Sequence, residues 1–460
     1  MSFDPDTAAI RFGMGLGPGL KPPGSVDEMI RVLRARDAAA MQYPIPRFMS
    51  LLPDISRLAE LQKDRRRTKD KARLKVVMAG IRDLRRSSRS AQAEYLKASV
   101  ARGVFSADGF RERLTRFWAD HFTVKGKNGI LKTAVSTYVE EAIRPHLTAP
   151  YSQLLAAAVT HPMMLLFLDQ VTSAGPGSRM AKRRSGRGLN ENLAREVLEL
   201  HTLGVDGAYT QADVRQLAEL FTGMTASHDA GFVFRPGMAE PGAETVLGKS
   251  YGGGRPGMDD IRAFLDDVAV HPDTGAHIAR KLVRHFVADD PDPALVDHVA
   301  ARFAQSGGDL TEVYEAMLNH PLAWVTPDRK TKQPFDFVVS SLRALGVPED
   351  RLMRMKPRQV ALYLGLPMQV MGQSFENPTG PDGWPEEAEA WITPQGIAGR
   401  IQWAMTVPHV ARLDLPDPRV FLDVALGARA SAALEFAAKG AATKWEGIGL
   451  ILASPEFQRR

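Results

Sequence analysis

Residues 188–224, GLNENLAREVLELHTLGVDGAYTQADVRQLAELFTGM, read as helix, turn, helix, and this reading sets the fold class. In the first helix Leu193, Val197, Leu200 and Gly204 recur at i, i+4, i+7 and i+11, the spacing of a buried stripe. Asn192, Arg195, Glu196 and Glu199 fall on the opposite face at i, i+3, i+4 and i+7. Gly204 is the helix stop. Asp206-Gly207 makes the turn, and Thr210 with Asp213 three residues on forms a capping box opening the second helix. Two carboxylates, an amide and a guanidinium on one face, beside an acidic turn, are the groups of a site.

Outward from this stretch the chain keeps the same periodicity. Residues 51–101 are almost free of Pro and rich in Lys, Arg, Ala, Leu and Glu. They predict a long basic helical arm, an antiparallel pair broken near Gly80. Pro162 and Pro272, each preceded by His, suit first helical positions. Two Gly/Pro-rich stretches, 226–256 and 367–394, read as irregular insertions. The first offers two extended segments, 232–235 and 245–248, for a small β-hairpin. The second carries Trp384 and Trp391. With so few strand candidates the expected fold is all-α, a large multi-helix domain taken as one unit over residues 1–460.

A hydrophobic share of 44% with 24% charged residues suits a soluble chain with a large core, and no apolar run reaches membrane-spanning length. The absence of cysteine excludes disulfides, thiolate metal sites and cysteine nucleophiles. The net charge of +6 is local: residues 63–89 hold twelve Lys/Arg against three Asp, so the rest of the chain is slightly acidic. That segment reads as an arm for nucleic acid, anionic lipid or an acidic partner protein, or as a solvated helix face lying over the core, and its lack of aromatic residues to stack on bases argues against nucleic acid. The N-terminus shows no basic region followed by an apolar one, so a cytoplasmic location is expected.

Glu196 and Glu199, one turn apart, can share a cavity and serve as general acid and base, or neutralise Arg195 in a polar packing network. His201 shares a face with Ala194, Val197 and Leu198, as a core histidine would, and the spacing is not HExxH. The turn at 206–213 resembles the second half of a calcium loop. Thr202 and Gly204 stand where the first half needs carboxylates, so no metal site is expected. In RFWADHF, residues 116–122, Asp120 can orient His121 for proton transfer, or the segment is aromatic packing with a histidine capping the helix end. The catalytic candidates are therefore Glu196, Glu199, His121 and Asp120. Asn192, Arg195, His201, Asp206, Tyr209, Asp213 and Trp384 are binding candidates. His277, Lys281 and Arg284 form a basic stripe suited to an anionic ligand or to pairing with acidic helices, the latter being expected. No phosphate-loop or nucleophile-elbow motif is present, and the cofactor is unknown.

ENLARE, LELHTLGVDGAYTQADV, RFGMG at 11–15, RFWADHF, HPMMLLFLD at 161–169, HPDTGAHIARKLVRHFV at 271–287, GWP at 383–385 and the ending SPEFQRR together resemble a bacterial domain-of-unknown-function family, number 1800. The resemblance spans essentially the whole chain. It implies no particular reaction; the residues suggest a hydrolase using the Glu196/Glu199 face with help from Asp120, His121 and the 206–213 turn, and the alternative is a non-catalytic binding or assembly protein acting with a partner protein. The family's genes often neighbour those of a sulfatase- or phosphatase-like family, which implies a partner protein. Many members look exported, whereas here RFGMG begins too early for a leader. Many relatives also carry a histidine where Met238-Ala239-Glu240 stands.

Overall fold

Short capping signals cut this chain into helices. Asp4, His161, His271, Asp292, His320, Asp417 and Ser454 each precede a proline, and each side chain accepts from a backbone N–H two or three residues on. Proline at the first helical position gives up an N–H that had no intrahelical partner, while the cap satisfies the next one. The histidines of the His-Pro pairs thus have a structural task. The structure is a computed structural model describing residues 3–127, 129–183, 188–227, 229–325, 330–411 and 414–460.

Helices α1 (Leu52–Arg67) and α2 (Lys71–Phe105) form the arm. Its break lies at residues 68–70, not at Gly80, because Asp70 caps α2 by accepting from Ala72 N at 2.9 Å. Gly80 continues the helix, and a Cβ there would sit 3.1 Å from Leu61 Cδ1. Its value is close approach of α1, which a reading of Gly as a helix breaker misses.

Then follow α3 (Gly109–His121), α4 (Gly129–Tyr138), α5 (Tyr151–Thr160), α6 (Asn192–Glu196), a π turn at Val197–His201, and α7 (Gln211–Leu220). Between α7 and α8 (Met258–Ala269) lie two antiparallel hairpins, not one. Strand β1 (Met224–Ser227) pairs with β2 (Gly231–Phe234), and β3 (Ala243–Val246) with β4 (Lys249–Gly252). The two expected strands belong to different hairpins. Leu247 and Gly248, at φ 52° and 76°, close the second in a two-residue turn, and leucine there gives no turn signal. The stretch 367–394 overlaps the helix Leu366–Val370 at its start and holds a helical turn at Ala388–Trp391 near its end, with residues 371–387 irregular between them.

Helices α9 (Pro272–Phe286), α10 (Pro334–Ala344), α11 (Pro394–Ala411), α12 (Pro418–Leu426) and α13 (Lys444–Ala453) are the other elements that matter below. Two large apolar clusters result. One surrounds α3, whose Phe110, Phe117 and fully buried Trp118 meet Phe286 of α9, Tyr314 and Tyr151. Trp118 Nε1 donates to Tyr314 Oη at 2.6 Å. The other joins the inner half of α2 to α10, α11, α12 and α13. A Cβ on Gly103 would lie 2.6 Å from Val339 Cγ1, so α2 and α10 touch through glycine. Arg113 of α3 bridges the clusters through a buried ion pair with Asp336 of α10. The fold is predominantly all-α. Among the described residues no helix is long and apolar enough to cross a membrane.

Candidate functional site

Four separated stretches meet at the C-terminal end of α3. The first supplies Asp120 and His121. Both Asp120 oxygens accept from Trp384 N, at 2.9 and 3.1 Å. Gly383, at φ +84°, permits this: a Cβ there would stand 2.7 Å from the Asp120 carboxyl carbon. Burial pushes the Asp120 carboxyl up to about 7, with Trp384 N, Lys281 and Arg116 opposing and Glu386 reinforcing.

His121 is buried. Its Nε2 lies 3.2 Å from Tyr151 Oη and 3.3 Å from the His201 carbonyl, and its Nδ1 has no hydrogen-bond partner among the described residues. Its ring centroid is 5.9 Å from that of His201 and 6.2 Å from that of His277. Burial lowers all three imidazoles. His121 falls well below its usual value, helped by Lys281, while His201 falls to about 3 and His277 to about 4. All three are therefore neutral near pH 7.

His201 closes the π turn, where Thr202 Oγ1 donates to Val197 O at 2.6 Å, five residues back. Such turns insert an extra residue and often occur at functional sites. His201 is indeed buried, yet its Nδ1 is also without a partner among the described residues. His277 approaches through a second glycine: Nε2 is 3.1 Å from Leu200 O, and a Cβ on Gly204 (φ +87°) would fall 2.9 Å from Nδ1. One turn along α9, Lys281 is half-buried and has no hydrogen-bond or ion-pair partner among the described residues. Burial lowers its ammonium pKa against the pull of Asp120, Glu386 and Asp382.

The acidic face lies beside this cluster. Glu196 is half-buried, and burial with Glu199 and Asp382 nearby raises its carboxyl to about 6. Glu199 accepts from Arg195 Nη1 at 3.2 Å, while Arg195 Nη2 reaches Glu191 and Gln211 at 3.3 and 2.9 Å. Arg195 thus holds Glu199 in a half-exposed network and leaves Glu196 without a hydrogen bond among the described residues. Asn192 is exposed at the start of α6. Tyr209 is half-buried, and its hydroxyl donates to Val205 O at 3.3 Å. The indole of Trp384 packs on Trp391 at 5.9 Å, so its part in the site is its backbone N–H.

The turn differs from expectation in one respect. Asp206 is exposed and accepts from no backbone N–H among the described residues; Asp273 of α9 takes Ala208 N at 3.0 Å instead. Thr210 and Asp213 do form the capping box, and the other Asp213 oxygen accepts from Leu247 N at 2.8 Å. Asp213 therefore ties α7 to the second hairpin. Among the described residues no three His, Cys, Asp or Glu are placed to hold a metal ion. Thr210→Ala should cost about 1 kcal/mol through loss of the cap. Urea denaturation checks it, and a chelator should leave the melting temperature unchanged.

Sequence reasoning missed Tyr151 and Glu386, and it read His277 and Lys281 as part of an ion-pairing stripe instead of placing them at the site. The stripe at 277, 281 and 284 was visible, but among the described residues only Arg284 of the three pairs with an acid, Glu387 at 2.6 Å. Glu386 stands between the site and a buried charge group, accepting from His285 Nδ1 at 2.5 Å and Lys330 Nζ at 3.0 Å. Burial works against its ionised form, yet His285 and Lys330 hold its carboxyl well below the usual range.

A search of curated proteins and a search of solved structures each return no match. A family model described as a protein of unknown function, DUF1800, matches residues 9–459. Its span takes in every residue of the cluster, and the chain belongs to this family.

Proposed function

We propose that the chain is a hydrolase whose centre is the group of side chains gathered where the α6 π turn, α9 and the Gly383–Trp384 loop meet the end of α3. The observation that carries the reading is a pair of buried imidazole nitrogens without partners among the described residues, His121 Nδ1 and His201 Nδ1, beside a half-buried Lys281 ammonium that pairs with no carboxylate there. An unsatisfied buried group costs about 1–3 kcal/mol, and a packing network would satisfy such groups. Strongly shifted ionisable groups gathered in one place are the usual mark of acid–base work.

In this reading Glu196 acts as the general base, since its carboxyl near 6 is ionised at pH 7 yet basic enough to take a proton. Asp120, near 7, is the proton donor. Lys281 stabilises developing negative charge, and neutral His121 and His277 orient the substrate.

The test is a panel of chromogenic carboxylic esters, phosphate esters, glycosides and anilides, followed by Glu196→Gln on any substrate turned over. That substitution should lower kcat by roughly 10²–10⁴-fold with the melting temperature retained. The rate of the parent should fall as pH drops through about 6. Full activity in a folded Glu196→Gln protein would remove the catalytic assignment.

A further inference from the structure

Residues 65–76 are the outer end of the arm: the last residues of α1, the turn, and the start of α2. Each of them except Thr68 is exposed. The arm's own apolar contacts, Leu58 and Leu61 against Val77, Ile81 and Ile130, begin only behind this end. The first turn and a half of α2 is therefore solvated all round, so the tip stands clear of both large clusters.

Seven cations crowd onto it: Arg65, Arg66, Arg67, Lys69, Lys71, Arg73 and Lys75. Arg73 pairs with Asp64 at 2.9 Å, and the other six have no carboxylate partner among the described residues. The charge continues inward along one side of α2. Lys71, Lys75, Arg82, Arg85, Arg86 and Arg89, at i, i+4, i+11, i+14, i+15 and i+18, share a stripe about 27 Å long at 1.5 Å per residue, and all are exposed. Among the tip cations two apolar side chains are also solvated, Leu74 at 36% and Val76 at 71% exposure.

The apolar pair distinguishes between anionic partners. A nucleic-acid duplex engages cations through its phosphates and has no use for a projecting leucine and valine. A bilayer surface takes apolar side chains into its headgroup boundary while its anionic lipids attract the surrounding Lys and Arg. We propose that the tip of the α1–α2 arm docks end-on on an anionic lipid surface, so that Leu74 and Val76, two residues apart and on opposite sides of α2, both enter the headgroup boundary while Arg65, Arg66, Arg67, Lys69, Lys71 and Lys75 face the anionic headgroups.

The test is co-sedimentation of the full chain with two kinds of vesicle. One is phosphatidylcholine alone and the other an equal mixture with phosphatidylglycerol. The chain should bind the mixed vesicles, release at high salt, and ignore phosphatidylcholine alone. Each cation at the surface contributes about fivefold. The triple reversal Arg66→Glu, Lys69→Glu, Lys71→Glu should therefore weaken binding by more than about 100-fold. Leu74→Ser with Val76→Ser should weaken it roughly tenfold at any salt concentration that still allows binding. All five positions are exposed, so unchanged melting curves accompany either variant. Three results would overturn the proposal: no binding to mixed vesicles, equal binding to both kinds, or binding of duplex DNA without vesicle binding. An apolar double variant that binds as tightly as the parent would also overturn it.

Discussion

Asp120→Asn should gain stability over the parent as pH rises from 5 to 7, by about 3 kcal/mol at most. The folded carboxyl titrates near 7, because burial outweighs the Trp384 N–H, Lys281 and Arg116. In the unfolded chain it titrates near 3.9. Between these values the native state keeps a proton that the unfolded state has lost, so raising pH favours unfolding at about 1.36 kcal/mol per unit. The contribution is fully adverse above pH 7 and vanishes below about 4. Asparagine keeps an acceptor for Trp384 N and has no proton to lose. The variant's advantage should accordingly be small at pH 5, where the native carboxyl is protonated and as neutral as the amide, and large at pH 8. Urea denaturation at both pH values reads the difference, and a gap that does not move with pH would show that Asp120 titrates normally. The parent's own profile conceals this effect. Buried His201, His277 and His285, titrating at about 3, 4 and 4, lose stability as pH falls below about 6.5, the opposite slope over the same window.

The local parts of the site were legible in the sequence because their causes are local. The Leu193–Val197 stripe, the Gly204 stop at positive φ and the Thr210–Asp213 capping box each follow from spacing or from one residue's conformational range. The His-Pro helix starts were readable for the same reason. What spacing could not supply is convergence. His121, His201 and His277 sit on three helices whose contact depends on Gly204 and Gly383, glycines whose local signal is only a turn. The stripe on α9 looked equally like an ion-pairing face, and only packing distinguishes paired Arg284 from unpaired Lys281. The π turn likewise carries no periodicity signal, since residues 192–201 still fit a regular helix. Even the misjudged arm break has this character: Gly80 is set by Leu61 across the interface.

Arg144→Met should be among the most destabilising single changes in the chain, costing about 3–5 kcal/mol. The Arg144 side chain is 4% exposed and holds two carboxylates at once. Its Nε and Nη2 donate to Asp37 at 2.5 and 2.9 Å, and its Nη1 and Nη2 donate to Glu112 at 2.9 and 2.6 Å. Asp37 also caps the following helix through Ala40 N at 2.9 Å, so the clamp fixes the N-terminal segment against α3. Burial alone would push the Asp37 carboxyl up, yet Arg144 holds it below the usual range, which marks the pair as formed in the folded state. Methionine nearly matches the aliphatic stem but leaves Glu112 and Asp37 desolvated without their cation. The large penalty arises from those stranded charges more than from the lost attraction. Neutralising them tests this directly: Asp37→Asn and Glu112→Gln added to Arg144→Met should recover most of the loss, because asparagine still caps Ala40 and glutamine still fits the space. Denaturant unfolding of the single and triple variants measures both steps. A single variant within about 1 kcal/mol of the parent would place the clamp among the weak surface pairs. A triple variant no better than the single one would locate the cost in packing around the guanidinium, and α3 would then owe its position to Trp118 and Phe117 instead.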